Sequence, residues 1–218
     1  MGVWAEWLFY YTVYGFGGWL LENVYSRVTA RRFWKEGFLF SPIKPMYGLA
    51  VTFVLAAKET GGSLLFLLVC CLLIPSGIEF ASGFLLDKGF GKRYWDYRGM
   101  RGSVQGYVCM AFSLCWFPLM LGALYGLHPA VRTMYEGIAG LWNPAALWIG
   151  IAMLVEVVAA AMILRRKQTK GLLGWRMKQD KERAWIGERT RPAVEEKENL
   201  LEPAASQVGG PEPEGSLA

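Results

Sequence analysis

Histidine occurs once in this 218-residue sequence, at His128, so imidazole acid–base chemistry is absent from almost all of the chain. Cysteine is scarce as well. Cys70, Cys71, Cys109 and Cys115 all fall in apolar stretches without CxxC-type spacing, which indicates neither a disulfide framework nor a metal site. No Gly-x-x-x-x-Gly-Lys-Ser/Thr run is present, so the chain does not hydrolyse ATP by itself. Enzyme readings are weakened, and no cofactor is called for. A basic stretch ahead of the first apolar segment is also missing, which argues for a retained first helix and against a cleaved signal peptide.

What the sequence has in abundance is apolar length. Hydrophobic residues make up 54% of the chain and aromatics 15%, with a mean hydropathy of +0.25 despite a polar end. A soluble domain of this size is rarely so apolar. About 20 apolar residues cross a bilayer core as a helix. Four runs are long enough: Trp7–Tyr25, Ser63–Leu86, Val104–Leu127 and Ala145–Leu164. A shorter fifth, Met46–Ala57, follows Ser41-Pro42-Ile43-Lys44-Pro45, whose prolines suit a helix start near Ile43 and a span over residues 43–58. The reading is an all-α polytopic membrane protein with five transmembrane helices.

Basic residues set the orientation, because cytoplasmic loops carry the excess of Lys and Arg. Arg27, Arg31, Arg32, Lys35 and Lys44 follow the first helix, and Lys88, Lys92, Arg93, Arg98 and Arg101 follow the third. Arg165, Arg166, Lys167 and Lys170 follow the fifth, against Lys58 and Arg132 alone on the other side. The N-terminus is therefore expected outside and the C-terminus in the cytoplasm. This pattern accounts for the net charge of +5, which does not point to nucleic acid. Residues 1–166 are read as a membrane domain and 167–218 as a cytoplasmic tail. In the tail, Leu172, Trp175, Trp185 and Ile186 interleave with Arg176, Lys178 and Arg183, either as an amphipathic helix on the inner leaflet or as a solvated segment. From Pro203 the composition does not order itself.

Three carboxylates, Glu22, Glu79 and Glu156, fall in the cytoplasmic halves of apolar spans. Such residues are costly in the bilayer, so they face the protein interior and pair. Two readings stay open: they line a pathway, or they clamp helices through polar contacts. Gly15, Gly17 and Gly18, Gly77 with Ala81, and Gly122 with Gly126 lead to an expectation of close helix packing, and Pro75 and Pro118 to an expectation of kinks. Two cytoplasmic loops mix aromatics with arginine and glycine, and from them Arg31, Arg32, Lys44, Tyr47, Trp95, Asp96 and Arg98 are read as a surface. The alternatives there are an interfacial aromatic belt, or loops folded on each other with Asp96 paired to Arg31 or Arg32.

The blocks Gly15-Phe16-Gly17-Gly18-Trp19-Leu20-Leu21-Glu22, Gly37-Phe38-Leu39-Phe40-Ser41-Pro42-Ile43-Lys44-Pro45-Met46-Tyr47-Gly48, Ile78-Glu79-Phe80 and Tyr94-Trp95-Asp96-Tyr97 occur in that order. Together they resemble the CmpB-like ABC-transporter permease family of bacterial membrane proteins, over roughly residues 8–127. Tyr94 stands where the family usually has tryptophan, and Arg101–Gln105 where it has an asparagine-rich stretch. The resemblance implies a multi-pass permease of the cell membrane, with a separate ATPase subunit, membrane lipids and a homo-oligomer as expected partners. No EAA-like coupling pattern followed by glycine is found. Beside the permease stand a non-transport scaffold that binds a partner or anionic lipid, and a lipid-directed enzyme using a glutamate base.

Overall fold

The computed structural model describes the backbone of residues 2–30 and 37–205, and side chains at 2–28 and 37–169. Contacts divide the chain into Met1–Arg166 and Lys167–Ala218. The elements are helices α1 (Gly2–Ala30), α2 (Pro45–Glu59), α3 (Leu64–Phe90) and α4 (Met110–Leu121), a π-helical stretch Gly122–Leu127, and α5 (His128–Ala205). Among the described residues there is no strand, only an isolated bridge between Val104 and Val108. Two helical segments, Leu64–Phe90 and Met110–Thr169, are long and apolar enough to cross a membrane. The expected amphipathic face at 171–186 and the disordered end lie outside the described side chains.

Local signals explain three of the helix ends. Lys44 is extended ahead of Pro45, whose fixed φ suits the first turn of α2. The Ser63 hydroxyl accepts from the Phe66 N–H at 3.2 Å and caps α3. α3 stops at Gly91, which adopts φ +62° and returns its N–H to the Asp87 carbonyl.

Three expectations need correction. α4 begins at Met110, not Val104, because Gly99, Gly102, Gln105 and Gly106 all take positive φ and hold the preceding segment in tight turns. Residues 128–144, read as an outer loop, are helical. Close packing at glycine holds at Gly15 and Gly18, where a Cβ would run into Ile43 and Tyr47, but Gly17, Gly77, Gly122 and Gly126 face open space. After Pro118, which takes an N–H out of the helical ladder, the chain widens into the π-helical stretch between those last two glycines.

The first unit packs in sequence order, α1 on α2, α2 on α3 and α3 on α4. Its core gathers Phe9, Tyr10, Val54, Cys71, Trp116 and Leu124. α5 then runs back over α1. His128 lies against Tyr10 with ring centroids 4.8 Å apart and 3.1 Å from the Tyr14 hydroxyl, and the Trp142 indole donates to the Ala5 carbonyl at 2.8 Å. Beyond that point the contacts reverse, with Met153 against Thr12 at 3.9 Å and Glu156 against Ser41. A straight helix cannot pass from Tyr14 at His128 to Ala5 at Trp142 and back to Thr12 at Met153. The axis therefore doubles back near Asn143-Pro144. Leu64, Leu65, Leu73, Leu85, Leu141, Trp148 and Leu154 are exposed, so the outside of the first unit is apolar.

Candidate functional site: an aromatic cavity with two carboxylates

The C-terminal halves of α1 and α3 meet around one cavity of about 420 Å³. Glu22 from α1, Tyr47 from α2, Glu79 from α3, Phe112 and Trp116 from α4, and Trp95 and Tyr97 from the α3–α4 loop all line it. Gly18 makes this possible. A Cβ at that position would overlap the Tyr47 ring, so only glycine lets α2 set this tyrosine against α1. Gly48, the next residue, is equally constrained, because a Cβ there would lie 2.6 Å from the Tyr11 carbonyl oxygen.

Glu79 is 3% exposed and fully hydrogen-bonded. The Tyr97 hydroxyl donates to its Oε1 at 3.0 Å and the Trp116 indole N–H to its Oε2 at 2.9 Å. Both donors are neutral, and among the described residues no cation forms an ion pair with Glu79. Glu22 differs in this respect. Lys44 Nζ lies 3.2 Å from its Oε2, with only 10% of the lysine side chain and 15% of the glutamate side chain exposed, and the Tyr47 hydroxyl is bonded to it too. Lys44 is fixed in turn by its backbone N–H, which donates to the Gly15 carbonyl at 2.9 Å. Aromatic pairs form the remaining walls: Tyr47 against Trp116 at 5.0 Å between centroids, and Tyr97 stacked on Phe112 at 4.9 Å.

The α3–α4 loop that carries Trp95 and Tyr97 is held from below by charges. Asp96 accepts from Arg98 Nε at 2.8 Å and from Arg93 at 3.2 Å, and Arg93 also reaches Asp87 at 2.6 Å. Hydrogen bonding from the Arg98 side chain and backbone holds the Asp96 carboxyl well below the usual carboxylate range. Burial, with Glu79 alongside, pushes the Tyr97 phenol above its ordinary range. Gly106 takes φ +79°, and a Cβ there would sit 2.7 Å from Asp96 Oδ1, so the return of the loop is built around glycine.

Of the residues singled out in the sequence, Glu22, Glu79, Tyr47 and Trp95 come together on this cavity. Lys44 lies behind it and lines a second cavity of about 360 Å³, which shares Glu22 and Trp95. Glu156 stands apart: its Oε1 accepts from the Ser41 N–H at 2.5 Å and fastens α5 to the segment that precedes α2. Asp96 pairs with arginines of its own loop, whereas Arg31 and Arg32, its expected partners, lie outside the described residues. The two loops do meet elsewhere, where the Tyr94 hydroxyl donates to the Gly37 carbonyl at 3.3 Å. Tyr97 and Trp116 were not singled out as partners of Glu79. Tyr97 stands in the Tyr94-Trp95-Asp96-Tyr97 block, but nothing in the local sequence around Trp116 signals its role.

Comparison with known families bears on this arrangement. A sequence model of the family described as Putative ABC-transporter type IV, ABC_trans_CmpB, matches residues 9–163. The chain belongs to that family. The match takes in every residue of the cavity and of the loop beneath it, so the CmpB-type resemblance extends past residue 127 to the returning limb of α5. No curated protein and no solved structure matches the chain.

Proposed function

We propose that this CmpB-type chain is the permease component of an ABC-type transporter in a bacterial cell membrane, and that the cavity between α1, α2, α3 and α4 holds its substrate. In this reading the chain crosses the membrane five times: α1, α2, α3, α4 with the π-helical stretch, and the limb of α5 after Pro144. The basic residues place the loops after α1 and α3 in the cytoplasm and the N-terminus outside. Because the chain has no phosphate-binding loop of its own, a separate ATPase subunit supplies the energy.

One observation carries the reading. Carboxylates of two different helices, Glu22 and Glu79, share a cavity whose wall is completed by Trp95 and Tyr97 of a loop that is itself rich in charge. Intramembrane ionisable groups that face a cavity mark pathways, and the cavity volume falls within the range of small-molecule sites. A partner that moved the Asp96–Arg98 loop would pull Tyr97 from Glu79 and change the cavity. This links the outer face of the loop to the site. Glu156, paired to a backbone N–H away from the cavity, is assigned a fastening role.

A non-transport scaffold is the second reading, and it is favoured by the complete hydrogen bonding of Glu79, which a helix clamp also requires. Capture of the full chain from its native membrane in nanodiscs, followed by mass spectrometry, separates the two. A co-purifying nucleotide-binding ATPase is the expected result, and recovery of only the chain itself and lipid would favour the scaffold.

A further inference from the structure

We infer that the cavity binds an amphipathic organic cation, such as a protonated or quaternary amine, between its aromatic walls and Glu79. This rests on the reading of the cavity as a ligand site. Charge is the first argument. Glu22 is compensated by Lys44 at 3.2 Å, while Glu79, 3% exposed, has hydrogen bonds from neutral donors and no ion-pair partner among the described residues. The residues lining the cavity include no lysine, arginine or histidine. A buried carboxylate satisfied in hydrogen bonding but uncompensated in charge is costly, so Glu79 takes either a proton or a cation, and a cation in the cavity stands in the proton's place. An anionic ligand would add to the cost.

The walls supply the second argument. Tyr47, Trp95, Tyr97, Phe112 and Trp116 present aromatic surface to one space, the arrangement by which proteins hold ammonium groups through ring faces. The indole of Trp116 can only donate and is already committed to Glu79 Oε2, as the Trp95 indole is to the Tyr107 carbonyl at 2.8 Å. Two of the strongest donors on the wall are thus turned away from any ligand. The rest of the lining is aromatic and aliphatic surface and carboxylate, with the Tyr25 hydroxyl and the Cys115 thiol, which suits a cation with apolar substituents better than a sugar or a phosphate.

The test uses two probes of the same shape and opposite charge, tetraphenylphosphonium and tetraphenylborate, titrated onto the full chain in nanodiscs with protein-free nanodiscs as the reference. The expected result is saturable binding of the phosphonium alone, weakened about tenfold by Glu79→Gln. If that variant does not fold, Phe112→Leu, which removes neither donor to Glu79, is expected to weaken binding several-fold. Equal binding of the two ions, or phosphonium binding unchanged in whichever of these variants folds, overturns the inference. Loss of the inference with an ATPase still captured would leave the permease reading standing, and cation binding without a captured ATPase would do the reverse.

Discussion

The indole N–H of Trp116 lies 2.9 Å from Oε2 of Glu79, so the most buried carboxylate of α3 is tied to α4 by a single donor. Removing that donor while keeping an aromatic ring leaves the oxygen of a buried carboxylate unsatisfied. Trp116→Phe is therefore expected to cost about 1–3 kcal/mol of stability. Unfolding in bicelles measures it, and combining it with Glu79→Leu should give less than the sum of the two single effects, since both remove the same bond.

The Glu22–Lys44 pair offers a different test, because both partners are largely buried. Taking one charge away strands the other. Lys44→Met alone is expected to destabilise by roughly 3 kcal/mol, and Glu22→Gln with Lys44→Met by clearly less, as for other buried ion pairs whose partners are removed together. Thermal unfolding of the single and double variants decides it.

Glycine substitutions separate close packing from spacing. Gly48→Ala drives a methyl into the Tyr11 backbone carbonyl, whereas Gly17→Ala meets open space. The first is expected to cost about 1–3 kcal/mol and the second to be near neutral or mildly stabilising. Equal effects on unfolding would contradict the helix contact described here.

Low pH should loosen the loop. The Asp96 carboxyl binds its proton less tightly in the folded chain than at its ordinary value of 3.8, because the charge-assisted bonds from Arg98 and Arg93 favour its ionised form. Its contribution is fully present above that value and is lost as pH falls below it through the folded value. Hydrogen exchange of amides 92–109 after incubation across pH 6 to about 2.5 is expected to show protection fading only in the acidic part of the range, and Asp96→Asn should reduce that dependence to the part carried by Asp87, which binds Arg93 and Tyr107. Retained protection throughout would show that the clasp does not order the loop.

Much of the helical layout was legible in the sequence, and the reasons are local. Pro45 and Ser63 announce the starts of α2 and α3, and apolar length announces α3. Glu22 and Glu79 stood out because carboxylates are rare in apolar runs. Their convergence on one cavity depends on how α1 and α3 pack against α2, and no local spacing encodes that. The start of α4 was misread because Val104–Val108 is as apolar as a helix end, while its backbone is set by glycines whose positive φ shows only in the fold. The segment 128–144 was misread for the opposite reason. Its His, Pro and Asn look like turn residues, yet His128 is packed on Tyr10 and Tyr14, and Asn143 accepts from the Tyr135 hydroxyl at 3.0 Å within a helix. Small residues were read as packing sites wherever they recurred, but of these glycines Gly15 and Gly18 are close-packed, on Ile43 and Tyr47, while Gly17, Gly77, Gly122 and Gly126 meet nothing.

Cys115 lies on the cavity wall and is exposed, which makes it a reporter of whether nucleotide drives the cavity open and closed. The full chain with its captured ATPase, held in nanodiscs, is to be alkylated at Cys115 with and without MgATP, and the modified peptide followed by mass spectrometry. A permease is expected to show a several-fold difference in rate between the two states, abolished by an ATPase variant unable to bind nucleotide. Identical rates in both states, with the ATPase present and hydrolysing, would contradict the transporter reading directly.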